Sequence, residues 1–156
     1  NNLNTYQDNI SSSIAVKIEA LINKNYIESN DGEYTVNEIT ALLSNKTASN
    51  IYHFMQKGLS VIISDEDSII GFGMVVRKNN IYEAKYLNVD PAYKGKGIGN
   101  TICNIREKTL KEMGIRELYI ESLRFDNTIR FHKNRGFYDV PDLRVLKFTK
   151  YMKKDL

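Results

Sequence analysis

The chain is 156 residues long, one domain's worth. Its 22 Lys and Arg against 19 Asp and Glu leave a net charge of +3, and its longest basic runs are pairs such as Lys153-Lys154. That excludes a protein that coats polyanions by bulk charge. The 42% hydrophobic and 26% charged content, with two Pro and nine Gly, excludes collagen-like and low-complexity chains. Cys103 is the only cysteine, so an intrachain disulfide and a thiolate zinc cluster are both excluded. His53 and His132 do not make a metal site by themselves. No run approaches about eighteen apolar residues, so no spanning helix is expected. Asn1 to Asn9 lack a basic and an apolar region and do not read as a signal peptide. The expectation is a single cytoplasmic domain over 1–156, without membrane or nucleic-acid partners.

The first third reads as helix. Ile14, Ile18, Leu21 and Ile22 recur at three- and four-residue intervals and share a face. Asn30-Asp31-Gly32 breaks the pattern. Thr35 with Glu38 is a capping box that opens a short helix through Val36, Ile39, Leu42 and Leu43. A further helical segment carries Ile51, Phe54 and Met55 and stops at Gly58.

After Gly58 the period changes. Ser60–Ser64, Ile69–Val76 and Ile81–Val89 are β-rich runs joined by the polar turns Asp65-Glu66-Asp67-Ser68 and Lys78-Asn79-Asn80. Short turns between three such runs predict an antiparallel meander. Gly71 and Gly73 inside a strand indicate a bulge or the close approach of another group. From Gly97 the residues Ile98, Ile102, Ile105, Leu110 and Met113 are assigned to one helical face, with Gly114 at its end. Arg116–Ser122 is a strand, Asn127–Arg135 a short helix closed by Gly136, and about Leu143 to Met152 a last strand. The class is α+β.

The segment Asn88-Val89-Asp90-Pro91-Ala92-Tyr93-Lys94-Gly95-Lys96-Gly97-Ile98-Gly99 lies between a strand and an amphipathic helix. Glycines let the backbone approach a ligand, and the first N–H groups of the helix lack internal partners. With the helix dipole they suit a phosphate, and Lys94 and Lys96 add charge. Ile98 stands where a Walker loop needs Lys after its last glycine. Asn100 replaces the last glycine of a dinucleotide loop, and the preceding meander is not a βαβ unit. A tight turn with solvated lysines is the alternative.

Lys94-Gly95-Lys96-Gly97-Ile98-Gly99, with Val89 and Pro91 before it, resembles the acetyl-CoA-binding motif of the GNAT superfamily of N-acetyltransferases in its K/R-G-x-G-I-G form. The order of elements from about 14 to 152 is similar too. The resemblance implies a GNAT-like acyl-CoA N-acyltransferase fold, a mixed, mostly antiparallel sheet flanked by helices. It implies acetyl-CoA as co-substrate, without a metal, and direct attack by a small-molecule or peptide amine held in the same cleft. Lys94, Gly95, Lys96, Gly97, Ile98, Gly99 and Asn100 would hold the pyrophosphate, and main-chain groups of Leu87, Asn88 and Val89 would meet the oxyanion. Glu83 stands where several members carry a base; the alternative is a solvent-facing glutamate paired with Lys85 or Arg77. His132 stands where a tyrosine acid is common, with Tyr93, Tyr119 and Tyr138 as fallbacks; the alternative is a structural histidine. The chain departs from the pattern at Phe125, where an asparagine for the pantetheine arm is common. Asn127, displaced by two, is the substitute.

Cys103 reads as a packed hydrophobe, with an acyl-cysteine the remote alternative, and His53 as a helix-surface residue. Two other functions stay open: a silent acyl-CoA-binding or regulatory module on the same fold, and a basic nucleic-acid-binding domain. The acceptor, and the choice between monomer and homodimer, are not readable from the residues.

Overall fold

The computed structural model describes residues 2–30, 32–140 and 148–156, and for 2–11 the helix backbone alone. The predicted start of the last strand, at Leu143, lies outside the described residues. The elements run α1 (Asn2–Ser29), α2 (Val36–Leu43), α3 (Ala48–Met55), β1 (Leu59–Asp65), β2 (Ser68–Lys78), β3 (Ile81–Val89), α4 (Ile98–Glu112), β4 (Glu117–Leu123), α5 (Asp126–Asn134), β5 (Tyr138–Asp139) and β6 (Thr149–Asp155). A single 3₁₀ turn, Pro91–Tyr93, precedes α4. The strands form one sheet in the order β1-β2-β3-β4-β6-β5. The meander β1-β2-β3 is antiparallel, as the turns require, and β3 meets β4 in parallel.

The alternation of side chains along β2 builds the two layers. Phe72, Met74 and Val76 join Ile18, Leu21, Ile22, Ile39, Leu42 and Ile51 in a core under α1, α2 and α3. Val75 joins Ala84, Leu110, Leu118, Phe137 and Met152 in a second core on the α4 face. The capping box forms: the Thr35 side chain accepts from the Glu38 N–H, and Glu38 accepts from the Thr35 N–H at 2.9 Å.

Gly71 and Gly73 are where α4 crosses β2. A Cβ at Gly73 would sit 2.6 Å from Ile102 Cγ2, and one at Gly71 would sit 2.9 Å from Ile98 Cγ2. The expected close approach is therefore that of a helix. The inward face of α4 differs from the prediction: Ile102, Cys103, Arg106, Glu107 and Leu110 are buried, whereas Ile105 and Met113 are 41% and 58% exposed. Two charged residues face inward because partners distant in sequence await them. Arg106 Nη1 donates to the Met74 carbonyl at 3.3 Å, and Glu107 accepts from Arg135 at 2.8 Å and Lys154 at 2.5 Å.

Candidate active site

The site begins where two strands part. β3 and β4 pair only at Glu83 with Tyr119 and Ala84 with Ile120. Just beyond, Met74 pairs with Lys85 but Phe72 with Asn88, so Tyr86 and Leu87 together oppose Gly73. This is a bulge, and Tyr86 occupies the left-handed region at φ 59°. The gap past the last strand pair is a cleft of about 600 Å³, walled by Lys85–Asn88 of β3, Glu121–Leu123 of β4 and the start of α5. Asn25 and Ser29 of α1 close it from the side.

A second space of about 440 Å³ shares Asn25, Leu87, Lys94, Asn127, Thr128 and His132 with the cleft and extends to the glycine turn. Gly95 and Gly97 lie in the left-handed region, at φ 79° and 78°, where a Cβ is strained. Gly97 caps α4 without a side-chain hydrogen bond. The first helical bond there runs from Thr101 N–H to the Gly97 carbonyl at 3.0 Å, so the N–H groups ahead of Thr101 lack an intrahelical acceptor. Ile98, Gly99 and Asn100 line the same space. That end of the cavity has the backbone donors and the helix-dipole field that an anion would need.

The rim is tied to α1. Lys94 Nζ donates to Ser29 Oγ at 2.6 Å, Ser29 Oγ to Asn25 Oδ1 at 3.1 Å, and Asn25 Nδ2 to Asn88 Oδ1 at 2.7 Å. Lys24 pairs with Asp90 at 3.1 Å, and Asp90 accepts from the Ala92 N–H at 2.9 Å. That hydrogen bond, opposed by slight burial and helped by Lys24, holds the Asp90 carboxyl below the usual range. Neither Asn25 nor Ser29 stands out in the sequence, because a polar residue on an amphipathic helix reads as solvated.

The predicted site residues fall into groups. Leu87, Val89, Lys94, Gly95, Gly97, Ile98, Gly99, Asn100 and Asn127 all line the glycine-end space, and Asn88 lines the cleft. The Asn88 side chain is buried against Asn25, and Asn100 Oδ1 accepts from Arg135 at 2.9 Å. Lys96 stands apart: its ammonium lies 5.2 Å from the centre of the Tyr93 ring, and it lines neither space. Phe125 is buried edge-on to Tyr34 at 5.2 Å, so the pantetheine position of the motif is a core residue here.

Glu83 is only 3% exposed, opposite Val76 on the α1–α3 face of the sheet, with Lys85 Nζ at 3.9 Å. It is therefore a buried carboxylate on the wall of a side cavity beside Tyr26, Lys46, Tyr86 and Glu121. His132 is also 3% exposed, edge-on between Phe131 and Phe137, and lines both larger spaces. Burial, reinforced by Arg106 and Arg135, pushes its imidazole down to about 4, so it is neutral at pH 7. Of the fallback tyrosines, Tyr93 donates to Asp65 at 2.6 Å, Tyr138 to Asp155 at 3.1 Å, and Tyr119 stacks on Tyr151. The tyrosines at the cleft are instead Tyr26 and Tyr86. Burial raises both hydroxyl pKa values, that of Tyr86 to about 12.

Cys103 is buried beside Arg106 Nη2 at 3.3 Å and lines none of these cavities. His53 is exposed. Among the described residues no group of three or more His, Cys, Asp or Glu could hold a metal ion, and no helix is long and apolar enough to cross a membrane.

The sequence profile of the acetyltransferase (GNAT) family matches residues 24–137, from the second half of α1 to the end of the α5 turn. The chain belongs to this family. The GNAT fold is likewise that of solved structures with low identity. A PaiA N-acetyltransferase from Thermoplasma acidophilum, in complex with coenzyme A, superposes with a TM-score of 0.79 at 19% identity, over 93% of this chain and 94% of that one. A GNAT-family acetyltransferase from Staphylococcus aureus Mu50 gives 0.74 at 20% identity, over 92% and 93%. An aminoglycoside 6'-acetyltransferase type Ii gives 0.68 at 17% identity, over 90% and 88%. No curated protein sequence matches the chain. The parted strands, the bulge and the glycine turn border two spaces that share six wall residues.

Proposed function

We propose that this GNAT domain transfers an acetyl group from acetyl-CoA to a primary amine by direct attack, both substrates lying in the cleft between β3 and β4. The observation that carries the reading is the Gly97 cap. It leaves the first N–H groups of α4 without intrahelical acceptors, beside a space that shares six wall residues with the gap between the strands. Acetyl-CoA supplies the thioester carbonyl.

The remaining roles fall to the chain. The turn from Lys94 to Asn100 takes the pyrophosphate through backbone N–H groups, with Lys94 as the nearer cation. Lys96, drawn onto Tyr93, adds only to the outer field. Main-chain groups at Leu87–Val89, presented by the bulge, face the carbonyl oxygen, and Asn127 faces the pantetheine arm. Glu83 takes a proton from the attacking amine, directly or through a water. The nitrogen–carbon bond then forms and the carbon–sulfur bond breaks. His132, neutral at pH 7, offers an imidazole N–H to the departing sulfur; it does not wait as an imidazolium. Holding amine and thioester together lowers the entropic part of the barrier.

Isothermal titration tests the reading, with a panel of primary amines followed by release of free CoA. Acetyl-CoA is expected to bind the wild type and not the Gly97→Val variant, whose backbone cannot hold the left-handed cap. Binding that survives this change would sink the assigned phosphate site. Binding without acetylation of any amine would favour the silent acyl-CoA-binding module.

A further inference from the structure

We infer that the acceptor carries an anionic group, a carboxylate or a phosphate, seated between Lys46 and Lys85 while its amine reaches the parting of β3 and β4. This deepens the transferase reading and rests on it. A side cavity of about 230 Å³ opens from the main cleft and shares with it the walls at Tyr26, Lys85, Tyr86 and Glu121. Both lysines line it.

Lys46 is held by neutral groups alone: the Leu42 carbonyl at 2.6 Å, Asn45 Oδ1 at 3.4 Å and the face of Tyr26 at 5.6 Å. It makes no ion pair with a carboxylate of the described residues. Burial, with help from Lys85 and against the pull of Glu121, keeps its amine below the usual lysine range. Lys85 lies 5.2 Å from the centre of the Phe54 ring and 3.9 Å from Glu83, a loose pair.

Lys46 has no ion-pair partner among the described residues and Lys85 only the loose one, so an anion seated between them completes the charge pairing of both. Glu83 and Glu121 stand on the same walls and complement the other end of a zwitterion. The site therefore balances a molecule bearing an amine and an anion.

Matched acceptors that differ in the anion test this: lysine against cadaverine for a carboxylate, and phosphoethanolamine against ethanolamine for a phosphate. In at least one pair the anionic member should show a kcat/KM higher by about tenfold or more, the scale of a charged hydrogen bond. That ratio should fall toward one in Lys46→Gln and persist in Lys46→Arg. If melting shows Lys46→Gln unfolded, Lys85→Gln should lower the same ratio. A preference for the decarboxylated or dephosphorylated member, or a ratio indifferent to these variants, overturns the assignment. If acetyl-CoA binds but no amine is acetylated, the transferase reading fails separately. Titration of each pair into the CoA-bound protein then decides the anion site, and equal affinities within both pairs reject it.

Discussion

His132 shows how surroundings decide what a side chain can do. An unfolded histidine has a pKa near 6.5, and the folded one is pushed to about 4 by burial and by two arginines. Above pH 6.5 neither state holds the proton. Between about 6.5 and 4 the unfolded chain binds it and the folded chain does not, so stability is lost as the pH is lowered through that window, by about 3 kcal/mol in full. Urea unfolding at a series of pH values should show this decline, and His132→Leu should flatten it; parallel profiles would discount the buried imidazole. Glu83 poses the complementary case. Replacing Glu83 with Gln should lower kcat by about 10²- to 10⁴-fold while acetyl-CoA affinity holds, and an unchanged kcat would remove it as the base. Both positions were legible in the sequence only through the family motif. Their near-complete burial was not, since it depends on Val76 of β2 lying opposite Glu83 and on Phe137 folding back beside His132. Asn25, Tyr26 and Lys46 carried no signal for the same reason.

Among the elements, α4 depends most on what it lies against. Its approach to β2 is set by the missing side chain of Gly73, where a methyl would come 2.6 Å from Ile102 Cγ2 and 3.3 Å from Arg106 Nη1. Gly73→Ala should therefore destabilise the fold by about 1–3 kcal/mol through overpacking. Ile102→Val in the same chain should recover part of the loss, and denaturant midpoints for the single and double variants measure both. Strand glycines announced this contact in advance. The helix face was harder to read: the apolar spacing put Ile105 and Met113 inside, whereas Arg106 and Glu107 took inward places. Hydropathy has no term for a buried charge whose partners, Met74, Arg135 and Lys154, lie about thirty to fifty residues away. The strand glycines also allowed for the bulge that lies opposite Gly73, but its place at Tyr86 was invisible, because nothing local in Lys85-Tyr86-Leu87 asks for a left-handed residue.

At the scale of the molecule, the one sheet is joined across β3 and β4 by only two residue pairs, with a ligand-sized gap beyond them. The order of elements and the antiparallel meander could be read from period changes and turn residues; the parting of β3 and β4 could not, because it is a property of pairing between distant strands. A ligand that contacts both sides of the gap stabilises the folded state by mass action. Acetyl-CoA at a hundred times its Kd should add about 2.7 kcal/mol, seen as a rise in melting temperature that Gly97→Val abolishes. An equal rise in both proteins would place the binding elsewhere.

The two-residue junction between β3 and β4 also bears on how the chain reaches this state. The meander closes through tight turns over short separations, whereas Glu83 and Ala84 must find Tyr119 and Ile120 across the whole of α4. Loop closure of that length is costly in entropy, and two residue pairs return little for it. The junction is therefore expected among the late steps of folding. The cleft between β3 and β4 is complete only once that junction has formed, so binding of a ligand that spans it should report on the last contacts of the sheet.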